Sequence, residues 1–112
     1  MILRTVKVTI EEGQYDAYWS WSRDILKLWD EGGVRRAGGP YALSGPDGEH
    51  IALWLSVHAS EAEATSQFKA LYADGRGREL ILKRPALVSA SESLTYGDWA
   101  ADDSSPPAAP TW

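Results

Sequence analysis

The stretch EHIALWLSVHASEAE, residues 49–63, decides the fold. Its first part alternates as a strand does: Ile51, Leu53, Leu55 and Val57 fall on one face, and Ala52, Trp54, Ser56 and His58 on the other. Neither set suits water, so both faces of this strand, predicted over 49–57, are read as buried. Ser60 and Glu63 follow as a Ser-x-x-Glu capping box. It opens a helix through Ala64, Phe68 and Leu71 to about Ala73, with Gly75 as its stop.

Upstream, SGPDG at residues 44–48 is a tight turn, closing a hairpin with a strand predicted over 34–43. Gly38-Gly39-Pro40 interrupts that strand and implies a bulge or an edge, because proline cannot donate to the ladder. At the start of the chain, residues 2–10 alternate again. Arg4, Val6, Val8 and Ile10 share one face; Leu3, Thr5, Lys7 and Thr9 share the other. Glu11, Glu12 and Gly13 turn the chain into a helix predicted over 14–31, which stops at Gly32-Gly33. On that helix Tyr15, Tyr18, Trp21, Ser22, Ile25, Leu28 and Trp29 cluster on one side, with Trp19 and Leu26 widening it to about half the circumference. Downstream, GRELILKR is helical up to Arg84, where Pro85 ends it, and the last strand is predicted over 87–96.

The order strand, helix, strand, strand, helix, strand predicts an α+β fold, the ferredoxin-like sandwich: a four-stranded antiparallel sheet with two helices on one face. The other face is left bare and apolar, which predicts a two-fold homodimer. Residues 1–97 make this single domain; residues 98–112, rich in Pro, Ala and Ser, read as a disordered tail.

Composition narrows the partners. The chain has 112 residues, a net charge of −5 and a pI near 4.9, with Lys and Arg scattered. Nucleic acid and acidic membrane surfaces are therefore disfavoured. No apolar run approaches the ~20 residues of a membrane span. The opening MILRTVKVTI has neither a basic leader nor a cleavage site, so a cytoplasmic location is expected. The absence of cysteine excludes disulfides, thiolate nucleophiles and Cys metal sites. Six tryptophans in so short a chain point to a pocket or an interface as well as a core.

RTVKVTI followed by EEGQYDAYW, then HIALWLSVHASEAEA, and finally RPALVSASESLTY resemble the NIPSNAP-like branch of the dimeric α+β barrel superfamily. Leu53-Trp54, Ser60-Glu61-Ala62, Arg84-Pro85 and Glu92-Ser93 stand where that branch has its short motifs. The resemblance implies homodimers with a pocket between sheet and helices, within a superfamily that includes antibiotic biosynthesis monooxygenases, small polyketide cyclases and haem-degrading enzymes. No Asn, Trp and His constellation maps onto the haem degraders, and the chain contains no Asn.

Within this frame, Trp19, Trp21, Trp29 and Trp54 are candidate walls for a flat, hydrophobic small molecule, unless they serve only core and interface. Ser22 and Ser56 share those apolar faces, where a hydroxyl needs a partner or a ligand group. His58 is a candidate general acid or base beside Trp54 and Ser56, although a structural role is common at a strand end. Tyr41, beyond the Gly-Gly-Pro interruption, is a candidate donor to a ligand carbonyl. Glu92 is read as paired with Arg35, Arg36 or Lys7. His50 and His58 are too isolated for a metal site, so no metal is expected. The sequence thus points to a cofactor-independent cyclase, isomerase or monooxygenase for an aromatic or polyketide-like metabolite; the alternative is a non-catalytic small-molecule-binding or accessory dimer.

Overall fold

The computed structural model describes residues 1–100. Strand β1 (Ile2–Ile10) occupies the full alternating run and lies at the centre of an antiparallel sheet. One edge of β1 pairs along its length with β4 (His50–His58), Ile2 opposite His58 and Ile10 opposite His50. The other edge pairs with β5 (Ser93–Asp98). This register sets Arg4 opposite Ser56, Val6 opposite Trp54 and Val8 opposite Ala52. Because side chains alternate between faces, these six residues share one surface of the sheet.

Helices α1 (Tyr15–Glu31), α2 (Glu61–Leu71) and α3 (Gly75–Leu82) accompany the sheet. Helix α1 buries Tyr18, Ser22, Ile25, Leu28 and Trp29, the stripe its periodicity predicts. Gly33 closes it at φ 73°, and the Val34 amide donates back to the Trp29 carbonyl. Helix α2 begins at the predicted cap, with the Ser60 hydroxyl accepting from the Glu63 amide at 3.1 Å. The main core joins Val8, Ile10, Tyr18, Ile25, Trp29, Val34, Ala52, Trp54 and Phe68. The sheet and the order of its elements are those of the ferredoxin-like α+β sandwich.

Two strands differ from their prediction. The run over 34–43 is divided into β2 (Arg35–Arg36) and β3 (Tyr41–Ser44), both antiparallel to β4. Gly38 and Gly39 between them take φ of 93° and 73°, and Pro40 has no N–H to offer the ladder. The last strand starts at Ser93 and ends at Asp98, later than the predicted 87–96. Upstream of it only Leu87 makes a bridge, to Ile10. Ala90 adopts a left-handed φ of 59°, while the Thr9 amide donates to the Ser91 hydroxyl instead of to a strand carbonyl. Beyond Asp98, the Trp99 amide donates to the Met1 carbonyl. Residues 101–112, most of the predicted tail, lie outside the described residues.

The outer face of the sheet is apolar, as read, but it is not bare. Ala37, Leu53, Leu55 and Val57 form a second buried cluster, with Leu3, Tyr41, Leu43 and Trp99 packed against it. Leu53 is 0% exposed within one chain. Its burial therefore needs no second copy. Among the described residues no helix is long and apolar enough to cross a membrane.

Candidate active site

Between the sheet and its helices lies a cavity of about 90 Å³. Arg4, Val6, Val8 and Trp54 form its floor. Tyr18, Trp21, Ile25 and Trp29 descend from successive turns of α1, at spacings of three and four residues that keep them on one helix face. Phe68 of α2 and Tyr72 just beyond its end close another side. Ile81, Arg84 and Glu92 complete the lining. The indole of Trp54 lies 5.2 Å from that of Trp29 and 6.5 Å from that of Trp21, tilted or edge-on. Trp21 Nε1–H donates to the Leu80 carbonyl at 2.8 Å and so ties α1 to α3.

Two indole–phenol couples give this apolar space its polarity. Trp54 Nε1–H donates to the Tyr18 hydroxyl at 2.9 Å, and Trp29 Nε1–H donates to the Tyr72 hydroxyl at 2.8 Å. Each phenol oxygen accepts from an indole; among the described residues, neither donates its own proton to a protein acceptor. Burial pushes Tyr18 up to about 12, against the Trp54 N–H and the Arg84 charge, with Glu92 and Tyr72 adding to the rise. Burial likewise raises Tyr72, opposed by the Trp29 N–H and by Arg4. Both phenols are therefore neutral at physiological pH. They are donors for an oxygen acceptor, not bases.

Charge is confined to two places. At the rim, Arg84 and Glu92 face each other at 3.8 Å, their side chains 34% and 56% exposed. Glu92 does not reach Arg35, Arg36 or Lys7, the partners predicted for it; it precedes the first residue of β5 and is carried toward Arg84 instead. Arg36 pairs with Asp30 at 3.6 Å. On the floor, the Arg4 guanidinium lies 4.1 Å from the centre of the Phe68 ring.

No protein-family model matches this sequence, and no curated protein matches it. Solved structures do. An uncharacterized NIPSNAP domain protein from Burkholderia xenovorans superposes with a TM-score of 0.69 at 13% identity, covering 90% of this chain and 96% of its own. A NIPSNAP-like domain protein from the same organism gives 0.66 at 18% identity, covering 99% and 93%. An antibiotic biosynthesis monooxygenase candidate from Nitrosomonas europaea gives 0.58 at 12%, covering 90% and 100%. The fold is that of the NIPSNAP-like domains.

On this NIPSNAP-like scaffold the residues singled out from sequence are distributed unevenly. Trp21, Trp29 and Trp54 line the cavity. Trp19 packs beside the core, edge-on to Tyr18, with its Nε1 buried and without a partner among the described residues. The Ser22 hydroxyl donates to the Trp19 carbonyl at 2.7 Å and faces no ligand space. Tyr41 stands opposite Leu53 and belongs to the outer cluster, on the far side of the sheet from His58. The two residues paired for proton chemistry are thus separated by the sheet itself. His58 is 4% exposed and outside the cavity, its Nε2 2.8 Å from the Ser56 hydroxyl and its ring edge-on to Phe68. Arg4, Tyr18, Phe68, Tyr72 and Arg84 were not picked out from sequence, although a charged Arg4 on the otherwise aliphatic face of β1 is a legible signal.

His58 has a consequence for stability. Burial holds its imidazole below the ordinary histidine range, helped by the Arg4 charge and opposed by Gln67 and Glu63. The unfolded chain takes up this proton near pH 6.5, before the folded chain does. The contribution is complete above that pH and is lost as pH falls through the lowered folded value. Urea unfolding from pH 7.5 to 5 should show stability declining with acid, and His58→Gln should flatten that slope.

Proposed function

We propose that the protein is a cofactor-independent enzyme acting on a small aromatic or polyketide-like carbonyl compound, by isomerisation or cyclisation through an enolate. The observation that carries this reading is the pair of uncommitted phenol donors, Tyr18 and Tyr72, inside an indole-walled cavity with a carboxylate at its rim. Trp21, Trp29 and Trp54 hold the ring and exclude water. Glu92 takes a proton from the carbon next to the carbonyl. The electron pair moves onto the carbonyl oxygen, where the Tyr18 and Tyr72 hydroxyls stabilise the charge. Returning the proton to another carbon isomerises the substrate; attack of the enolate carbon on a second carbonyl cyclises it. In a monooxygenase, the activity named for the Nitrosomonas neighbour, the same enolate would give its electrons to dioxygen. An apolar cavity of about 150 Å³ takes a benzene ring. At about 90 Å³ the space is smaller than that, so it encloses only part of one ring, the remainder standing in the solvent-facing rim, and it excludes a fused polycycle.

Deuterium exchange into benzoylacetone, followed by NMR in D₂O, tests the chemistry. The protein should accelerate exchange, and Glu92→Gln should slow it about a hundredfold while ligand quenching of tryptophan emission is kept. An unchanged rate in that variant removes Glu92 from the mechanism. Quenching without exchange in the wild type is the result for the second reading, a non-catalytic binding protein, which the 56% exposure of Glu92 favours. The homodimer belongs to both readings, with Leu3, Tyr41, Leu43 and Trp99 as the apolar patch it would use.

A further inference from the structure

We propose that the ligand of this cavity is an anion: a single aromatic ring bearing a carboxylate, which Arg4 holds while the ring lies against Trp29, Trp54 and Trp21. This inference rests on the cavity being the ligand site, and names the class of molecule that enters it. Arg4 projects from the middle of β1 onto the helix side of the sheet and lines the cavity floor. It is half-buried in a chain whose net charge is −5. Arg36, Arg76 and Arg84 each face a carboxylate, at 3.6, 2.9 and 3.8 Å. Among the described residues, none lies within ion-pair distance of Arg4. Its described contact is with the Phe68 ring, 4.1 Å away, which draws on the cation's charge and leaves its N–H donors uncommitted to any carboxylate of the described residues.

A guanidinium removed from bulk water without a counter-charge is costly, and a ligand carboxylate relieves that cost with two parallel hydrogen bonds. The rest of the lining agrees. Glu92 is the one carboxylate among the lining residues, and Arg84 stands opposite it, so an entering anion meets an excess of positive charge. The Phe68 ring on which Arg4 lies is itself stacked with Tyr72 at 6.1 Å, so the guanidinium stands on the phenol side of the cavity. A molecule with a carboxylate on Arg4 and a carbonyl on Tyr18 or Tyr72 would span the floor from one to the other. Aryl oxo acids have that arrangement.

Benzoate and benzamide, nearly identical in shape and different in charge, are the probes, read by quenching of tryptophan emission and by calorimetry. Benzoate should bind at least about tenfold more tightly than benzamide, the worth of one charge-assisted contact, and raising NaCl should narrow the gap. Arg4→Met should bring benzoate to the level of benzamide without weakening benzamide, and Arg4→Lys should fall between. Equal affinities in the wild type overturn the anion inference and leave the cavity reading standing. Failure of both probes to bind overturns the cavity reading and the inference with it. Should Arg4→Met not fold, the wild-type ratio and its salt dependence decide the question.

Discussion

Replacing Tyr18 by Phe should loosen the fold and slow the chemistry together. The phenol oxygen is the acceptor for Trp54 Nε1–H at 2.9 Å, in a buried setting. Phenylalanine keeps the ring contacts with Trp19 and Trp21 but leaves a buried indole N–H without a partner, which costs about 1–3 kcal/mol. Thermal unfolding should register a drop of several degrees. If the hydroxyl also donates to a substrate oxygen, removing it deletes a contact made most strongly as negative charge develops, and the exchange rate should fall about a hundredfold. Ground-state affinity should change far less. A variant that loses stability yet keeps the full rate would show that the Trp54–Tyr18 couple is purely structural. Tyr72→Phe makes the parallel case through Trp29.

Gly77→Ala should be strongly damaging for the addition of a single methyl group. Gly77 is buried where α3 crosses the end of α2, and a Cβ there would collide with the Leu71 carbonyl oxygen and meet Leu28 Cδ2 at 3.5 Å. A backbone atom cannot swing aside as a side chain does, so α3 must move bodily. We expect a loss of about 3 kcal/mol, measured by urea unfolding. Displacing α3 also strains the Trp21-to-Leu80 hydrogen bond, so ligand quenching should weaken in the same variant. Gly97→Ala is the control: nothing lies within 4 Å of its added Cβ, and its effect should stay within about 0.5 kcal/mol.

What could be read from sequence was what short-range physics controls. The alternation of residues 2–10 gave β1 its full span, and the wide aromatic stripe of α1 matched the helix side that is buried. The Ser60 cap lies within four residues of everything it touches, and it formed as predicted. The start of β5 was misplaced because Val88, Ala90 and Leu94 keep the period of a strand while Ala90 turns left-handed and Ser91 takes the Thr9 amide. That bond joins residues 82 apart in sequence, beyond the reach of any local pattern. The candidate site divides along the same line. Trp21, Trp29 and Trp54 were visible as an apolar surplus, whereas the two indole–phenol couples link residues 36 and 43 apart. Tyr41 and His58 were placed together as chemistry, yet β3 turns Tyr41 to the face that His58 does not share.

The sheet also ends differently at its two sides. At one margin the chain is broken between β2 and β3 by Gly38, Gly39 and Pro40, so no continuous row of amides is presented. At the other, β5 is six residues long, carries Ser93, Thr95 and Gly97, and finishes on Asp98. Neither border is a good template for a further strand from a neighbouring molecule. Growth by adding strand to strand along either border is therefore disfavoured.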